Sequence, residues 1–163
     1  MSRRLPLSSE LFEFLGYYAA EGHAARTVRL SFGKTARERS FAERCLSLFQ
    51  RVFGISGRIY DYKRNSALLV DFPTILLSKA FRLWFGDDAS TKHLPQWIME
   101  AEETLIRKFL IGFINGDGWS MTTNGYSVVG MCTVSDVMAE QIFLLCVKVG
   151  LCPSARRRPQ AKK

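Results

Sequence analysis

The sequence predicts an α+β protein made by internal duplication, and three observations carry that expectation. First, two apolar runs end alike in an acid followed by glycine: FLGYYAAEG over 14–22 and LIGFINGDG over 110–118. Gly16 and Gly112, Ala20 and Gly116, Glu21 and Asp117, and Gly22 and Gly118 all lie 96 residues apart. Second, segments of alternating apolar and polar residues stand between stretches of helical period. Third, the order helix, strand, helix begins again after residue 100: Ala42 and Glu43 are answered by Ala139 and Glu140, and Phe53-Gly54-Ile55 by Val149-Gly150-Leu151. A repeated structural unit is the economical cause.

Composition allows such a fold. With 163 residues, 47% of them hydrophobic, and 12 Phe, the chain can bury the core of one domain or of two small subdomains that share it, which excludes an acidic or low-complexity disordered sequence. The net charge of +8 makes a polyanion the first partner to consider, because Lys and Arg that neutralise phosphates release condensed counterions. Cys45, Cys132, Cys146 and Cys152 form no CxxC pair, and the only histidines are His23 and His93. That spacing argues against a structural zinc site or a disulfide scaffold and predicts four reduced, mostly buried thiols. No stretch approaches the roughly 18 uninterrupted apolar residues of a membrane span. Neither export nor membrane insertion is expected, and an intracellular location follows.

In chain order, Ser8 caps a helix that carries Leu11, Phe14, Leu15 and Tyr18 at helical spacing and stops at Gly22. Residues 27–32 alternate, with Val28, Leu30 and Phe32 on one face and Thr27, Arg29 and Ser31 on the other, as in a half-buried strand. A polar connection over 33–40 leads to a helix over 41–53, ended by Gly54. Strands over 57–63 and 66–72 flank a polar turn at Arg64 and Asn65, the first placing Arg58, Tyr60 and Tyr62 on one face. Pro73 opens a helix that runs to about Trp84. The first repeat therefore spans 1–85, a polar linker with the stiff segment LPQWI spans 86–97, and the second repeat spans 98–163. In the second, a helix over 101–116 precedes a strand over 126–132 and a helix from the Ser135 cap to Val149. By the offset, a further strand is expected from Ser154 onward, but no second strand or last helix follows it in the sequence. Phe81, Trp84, Phe109 and Phe113 are assigned to the core.

Gly16 with Ala20, and Gly112 with Gly116, are four residues apart and form matching small-residue stripes on their helices. Such stripes let two backbones approach closely, although an interior Gly costs about 1 kcal/mol relative to Ala. If the two helices pack there in the same direction, Glu21 and Asp117 meet at their C-terminal ends. Two carboxylates repel each other there, in the negative end of both helix dipoles. A hard divalent cation with oxygen ligands suits that position.

These residues carry a family resemblance: FLGYYAAEG and LIGFINGDG resemble the paired LAGLIDADG motifs of homing endonucleases, and LPQWI is similar to the linker region of intron- and intein-encoded members. The resemblance covers nearly the whole chain. It implies a pseudo-twofold monomer in which the motif helices form the subdomain interface and two antiparallel sheets form a saddle in the DNA major groove. It further implies that Glu21 and Asp117 bind Mg²⁺, or another divalent ion such as Mn²⁺, and hydrolyse phosphodiester bonds of double-stranded DNA. Glu21 stands where Asp is commoner in the family. Lys34, just beyond the first exposed strand, is the candidate basic residue for charge neutralisation. Arg29, Ser31, Arg58, Tyr60, Tyr62, Arg64, Arg156 and Arg157 are the candidate DNA contacts, with Arg suited to guanine edges. The alternative is a non-cleaving binder on the same fold, such as a maturase acting on intron RNA or a DNA-binding regulator. A third expectation is an inactive or nicking fragment, given the short second repeat.

Overall fold

The computed structural model describes residues 5–62, 67–123 and 125–157. Its elements run α1 (Ser9–Glu21), β1 (Gly22–Ala24), β2 (Val28–Gly33), α2 (Ala36–Phe53), β3 (Arg58–Tyr62), β4 (Ala67–Phe72), α3 (Ile75–Phe85), α4 (Gln96–Met99), α5 (Glu103–Asp117), β5 (Gly118–Thr123), β6 (Tyr126–Met131) and α6 (Asp136–Lys148). All strand pairs are antiparallel. One sheet has the order β1-β2-β4-β3 and a second consists of β5-β6.

Local chemistry explains most of the boundaries. The Ser8 side chain accepts from the Leu11 amide at 3.2 Å to start α1, and Ser135 accepts from Met138 at 3.1 Å to start α6. Helix α2 begins at Ala36, earlier than its apolar period suggests, because Thr35 Oγ1 accepts from the Glu38 amide at 3.2 Å as an N-cap and donates to the Glu38 carboxylate at 2.9 Å. Its first turn is solvated, so hydrophobic spacing could not report it. Helix α3 is capped by Thr74, whose side chain accepts from Leu77, so Pro73 precedes the helix instead of opening it. The LPQWI segment contains the short helix α4, preceded by Pro95.

Two strands were not legible. β1 is three residues long, and β5 alternates only over Trp119 to Thr122, directly after the α5 motif; each is a strand by pairing, β1 with β2 and β5 with β6 from Gly118↔Met131 to Thr123↔Tyr126. Conversely, the strand expected from Ser154 onward is not formed over 154–157. The thiols also divide otherwise than expected: Cys45 and Cys146 are buried, whereas Cys132 and Cys152 are exposed. The turn expected at Arg64 and Asn65 lies outside the described residues.

The core lies between the large sheet and the helices. Val28, Leu30 and Phe32 of β2 and Leu68, Val70 and Phe72 of β4 point inward, against α1, α2 and α3. Phe14 of α1 anchors them, meeting Phe49, Phe72 and Phe81 edge-on with ring centroids 5.0, 5.8 and 5.9 Å away. Phe109 and Phe113 of α5 are buried as expected, and Trp84 is half-buried. Among the described residues no helix is long and apolar enough to cross a membrane.

Candidate active site and nucleic-acid face

The repeated motifs form α1 and α5, and these helices pack on their glycine stripes. A Cβ on Gly16 would overlap the Phe109 carbonyl oxygen and lie 2.8 Å from Phe113 N; one on Gly112 would overlap the Glu13 carbonyl and lie 3.0 Å from Tyr17 N. Further along, a Cβ on Gly116 would collide with Ala20 and lie 3.2 Å from Glu21 Cγ. The contacts advance together along both helices, so α1 and α5 run in the same direction. Across the same seam, Asn115 Nδ2 donates to the Tyr17 hydroxyl at 3.0 Å, and burial pushes that phenol up to about 12. Glu21 and Asp117 consequently sit at the same end, each as the last residue of its helix.

Burial and the neighbouring Asp117 raise Glu21 to about 7, against the pull of Lys92. Asp117, the more exposed of the two, is also raised by desolvation, with Lys92 opposing. The positive group expected between the acids is thus partly supplied by the protein itself. Lys92 is only 8% exposed, and its Nζ donates to the carbonyls of Tyr18, Ala19 and Ala20 at 3.4, 2.9 and 3.4 Å, capping the negative end of α1. Burial lowers its ammonium to about 8, while Asp117 and Glu21 hold it up.

Lys92 was missed because it lies in a polar linker, STKHLP, where a lysine reads as solvated. The loop is fixed from the other half of the molecule: Ser135 Oγ donates to the Lys92 carbonyl at 2.6 Å, and the Gln141 side chain bonds both the Leu94 amide and carbonyl. Among the described residues, no hydrogen bond or ion pair engages either motif carboxylate, and no cluster of three His, Cys, Asp or Glu could hold a metal. Two uncommitted hard oxygen donors that repel each other fit a divalent cation, provided that the remaining ligands are backbone, solvent or substrate oxygens.

The large sheet brings five sequence-predicted contacts together on its helix-free face. Arg29 and Ser31 of β2 share this face with Arg58, Tyr60 and Tyr62 of β3, because Arg29 and Arg58 both register with Asp71, and Ser31 and Tyr60 both with Leu69. His23 of β1 extends the row through its pairing with Arg29. Lys34, the predicted basic residue, is turned toward Asp61 of β3, 3.8 Å away, at an exposed position. Arg157 is tied to Asp136 at the start of α6, at 2.7 Å, and Arg156 is exposed; neither lies on a strand. Arg64 lies outside the described residues.

No protein-family model matches the chain. An iron–sulfur cluster assembly SufBD family protein of Mycobacterium tuberculosis is 29% identical over 154 residues, covering 90% of this chain and 18% of that protein. The DNA polymerase of Thermococcus kodakarensis is 24% identical over 153 residues, with 93% and 9% covered, and the ATP-dependent DNA helicase Hel308 of the same organism 25% identical over 157 residues, with 94% and 14% covered. The chain therefore spans less than a fifth of the length of each of these relatives. Among solved structures, I-DmoI in complex with DNA and Mn superposes with a TM-score of 0.59 at 11% identity, over 89% of this chain and 80% of that one. The fold is that of a mixed α/β protein with antiparallel sheets, structurally similar to the LAGLIDADG homing endonuclease I-DmoI.

Proposed function

We propose that this protein is a site-specific, divalent-metal-dependent double-stranded DNA endonuclease, and that it is the homing-endonuclease domain of an intein. The observation that carries the nuclease reading is the α1–α5 seam: its steric demand for glycine places Glu21 and Asp117 together at one end, beside the buried cation of Lys92. The intein reading rests on the relatives. One segment of about this chain's length is matched inside an iron–sulfur assembly protein, a polymerase and a helicase, whose names share no activity. A cassette carried by unrelated hosts leaves that pattern.

In this reading Glu21 and Asp117 hold the metal, which would supply Lewis acidity toward the phosphate and activate water. Lys92 fixes the end of α1 and keeps Glu21 ionisable near neutral pH. The sheet face of Arg29, Ser31, Arg58, Tyr60 and Tyr62 contacts the major groove, Lys34 contacts backbone phosphate beside it, and Arg156 and Arg157 supply further phosphate contacts. Selection of cleaved sites from a random duplex library with Mg²⁺ tests the reading. Asp117→Asn is expected to abolish cleavage of a selected site while leaving binding measurable; undiminished cleavage by that variant would refute the site.

A further inference from the structure

Among the described residues, the helix-free face of the large sheet contains one acid, and it is almost fully buried. Asp71 of β4 is 1% exposed, in the strand between β2 and β3, directly opposite Arg29 on one side and Arg58 on the other. Arg29 Nε and Nη2 both donate to its Oδ1 at 3.2 Å, Thr27 Oγ1 donates to the same oxygen at 2.7 Å, and Arg58 Nη2 donates to Oδ2 at 3.3 Å. The Arg58 guanidinium also lies over the Tyr60 ring, 5.6 Å from its centroid. One carboxylate thus fixes two guanidinium groups that stand two strands apart, while Arg58 remains 72% exposed at its side chain.

We propose that Asp71 is a positioning residue for DNA sequence recognition, holding Arg29 and Arg58 as a preorganised pair whose remaining N–H donors read guanine edges. The inference rests on the DNA reading above. An unrestrained surface arginine serves any nearby phosphate, whereas base readout needs a planar fork at a set place and angle. Burial by the two arginines keeps the Asp71 charge away from an approaching phosphate backbone. The pair carries two positive charges and Asp71 cancels one of them, which lowers indiscriminate attraction to phosphate while leaving the hydrogen-bonding geometry intact. Each arginine has five N–H donors, so the bonds to Asp71 leave donors on both for a base.

Site selection from a random duplex library, with wild type and Asp71→Asn compared at one salt concentration, tests this. The wild type is expected to select discrete guanines. Asp71→Asn is expected to lose preference at one or two of those base pairs by about fivefold or more, while its affinity for unrelated duplex rises and becomes more salt-dependent. Arg29→Lys and Arg58→Lys keep the charge but lose the fork, and each is expected to relax preference at a base pair that Asp71→Asn also affects. Should Asp71→Asn fail to fold, these two variants decide: relaxed preference supports the inference, and unchanged preference overturns it. A folded Asp71→Asn that selects the same sites as strongly as wild type would overturn this inference alone. A wild type with no affinity for any duplex would overturn the DNA reading, and this inference with it.

Discussion

Gly16 of α1 and Gly112 of α5 meet with no side chain between them: a Cβ on Gly16 would lie 3.0 Å from the Gly112 Cα and overlap the Phe109 carbonyl oxygen. Because the obstruction is helix backbone, it cannot swing aside as a side-chain tip would. Gly16→Ala and Gly112→Ala are each expected to destabilise the fold by about 2–4 kcal/mol in urea denaturation. Gly54→Ala is the comparison. Gly54 has a positive φ of 68° but nothing within 4 Å of its Cβ, so only about 1 kcal/mol is at stake there. Equal losses at the three positions would mean that the α1–α5 seam is looser than described.

Glu21 gives the stability a pH dependence of determined sign. Burial and Asp117 raise it from 4.5 to about 7, so between those values the folded state binds more protons than the unfolded. Its protonated form contributes fully below about pH 4.5, and the contribution is lost as pH rises through about 7. Wild type should therefore lose up to about 3 kcal/mol relative to Glu21→Gln across that window in metal-free buffer. Denaturation curves of both proteins at pH 4.5, 6 and 7.5 measure it; parallel pH profiles would contradict the shift.

Removing the buried cation should act on both the helix end and the acids. Lys92→Met withdraws the donor from the α1 carbonyls and is expected to cost about 1–3 kcal/mol. It should also move Glu21 further up from about 7, since Lys92 is the group pulling it down. Carboxyl-carbon NMR titration reads that shift directly, and a Glu21 titration that stays in place would show that the two side chains are not coupled.

The carboxylate pair should bind a divalent ion independently of any cleavage. Mn²⁺ affinity, followed by electron paramagnetic resonance without DNA, is expected to rise with pH through about 7 as Glu21 ionises. Glu21→Gln and Asp117→Asn should each weaken it about tenfold or more. Retention of full affinity in both variants would place the ion elsewhere.

Adjacent leucines on α6 should respond oppositely to truncation. Leu145 is fully buried and Leu144 is 57% exposed, so Leu145→Ala is expected to cost about 2–5 kcal/mol and Leu144→Ala under about 0.5. Thermal unfolding of the two variants checks which face of the helix is buried.

Much of the molecule is determined by local sequence. The caps at Ser8 and Ser135, the strand faces of Arg29 and Ser31 and of Arg58, Tyr60 and Tyr62, and the glycine stripes were all legible. Each depends on residues a few positions apart on one element, where periodicity and side-chain size are sufficient. The 96-residue offset extended this to a long-range relationship, because a duplicated helix face implies that the copies meet. Tertiary structure decided the rest. β1 and β5 are strands because a neighbour pairs with them. Lys92 becomes a buried cation only because Ser135 and Gln141 fix its loop across the end of α1. Asp71 reads as an ordinary strand acid until register sets it between Arg29 and Arg58, 42 and 13 residues away. Burial and the sign of neighbouring charge set what an ionisable group does. Both arise from contacts between distant segments, which no local pattern encodes.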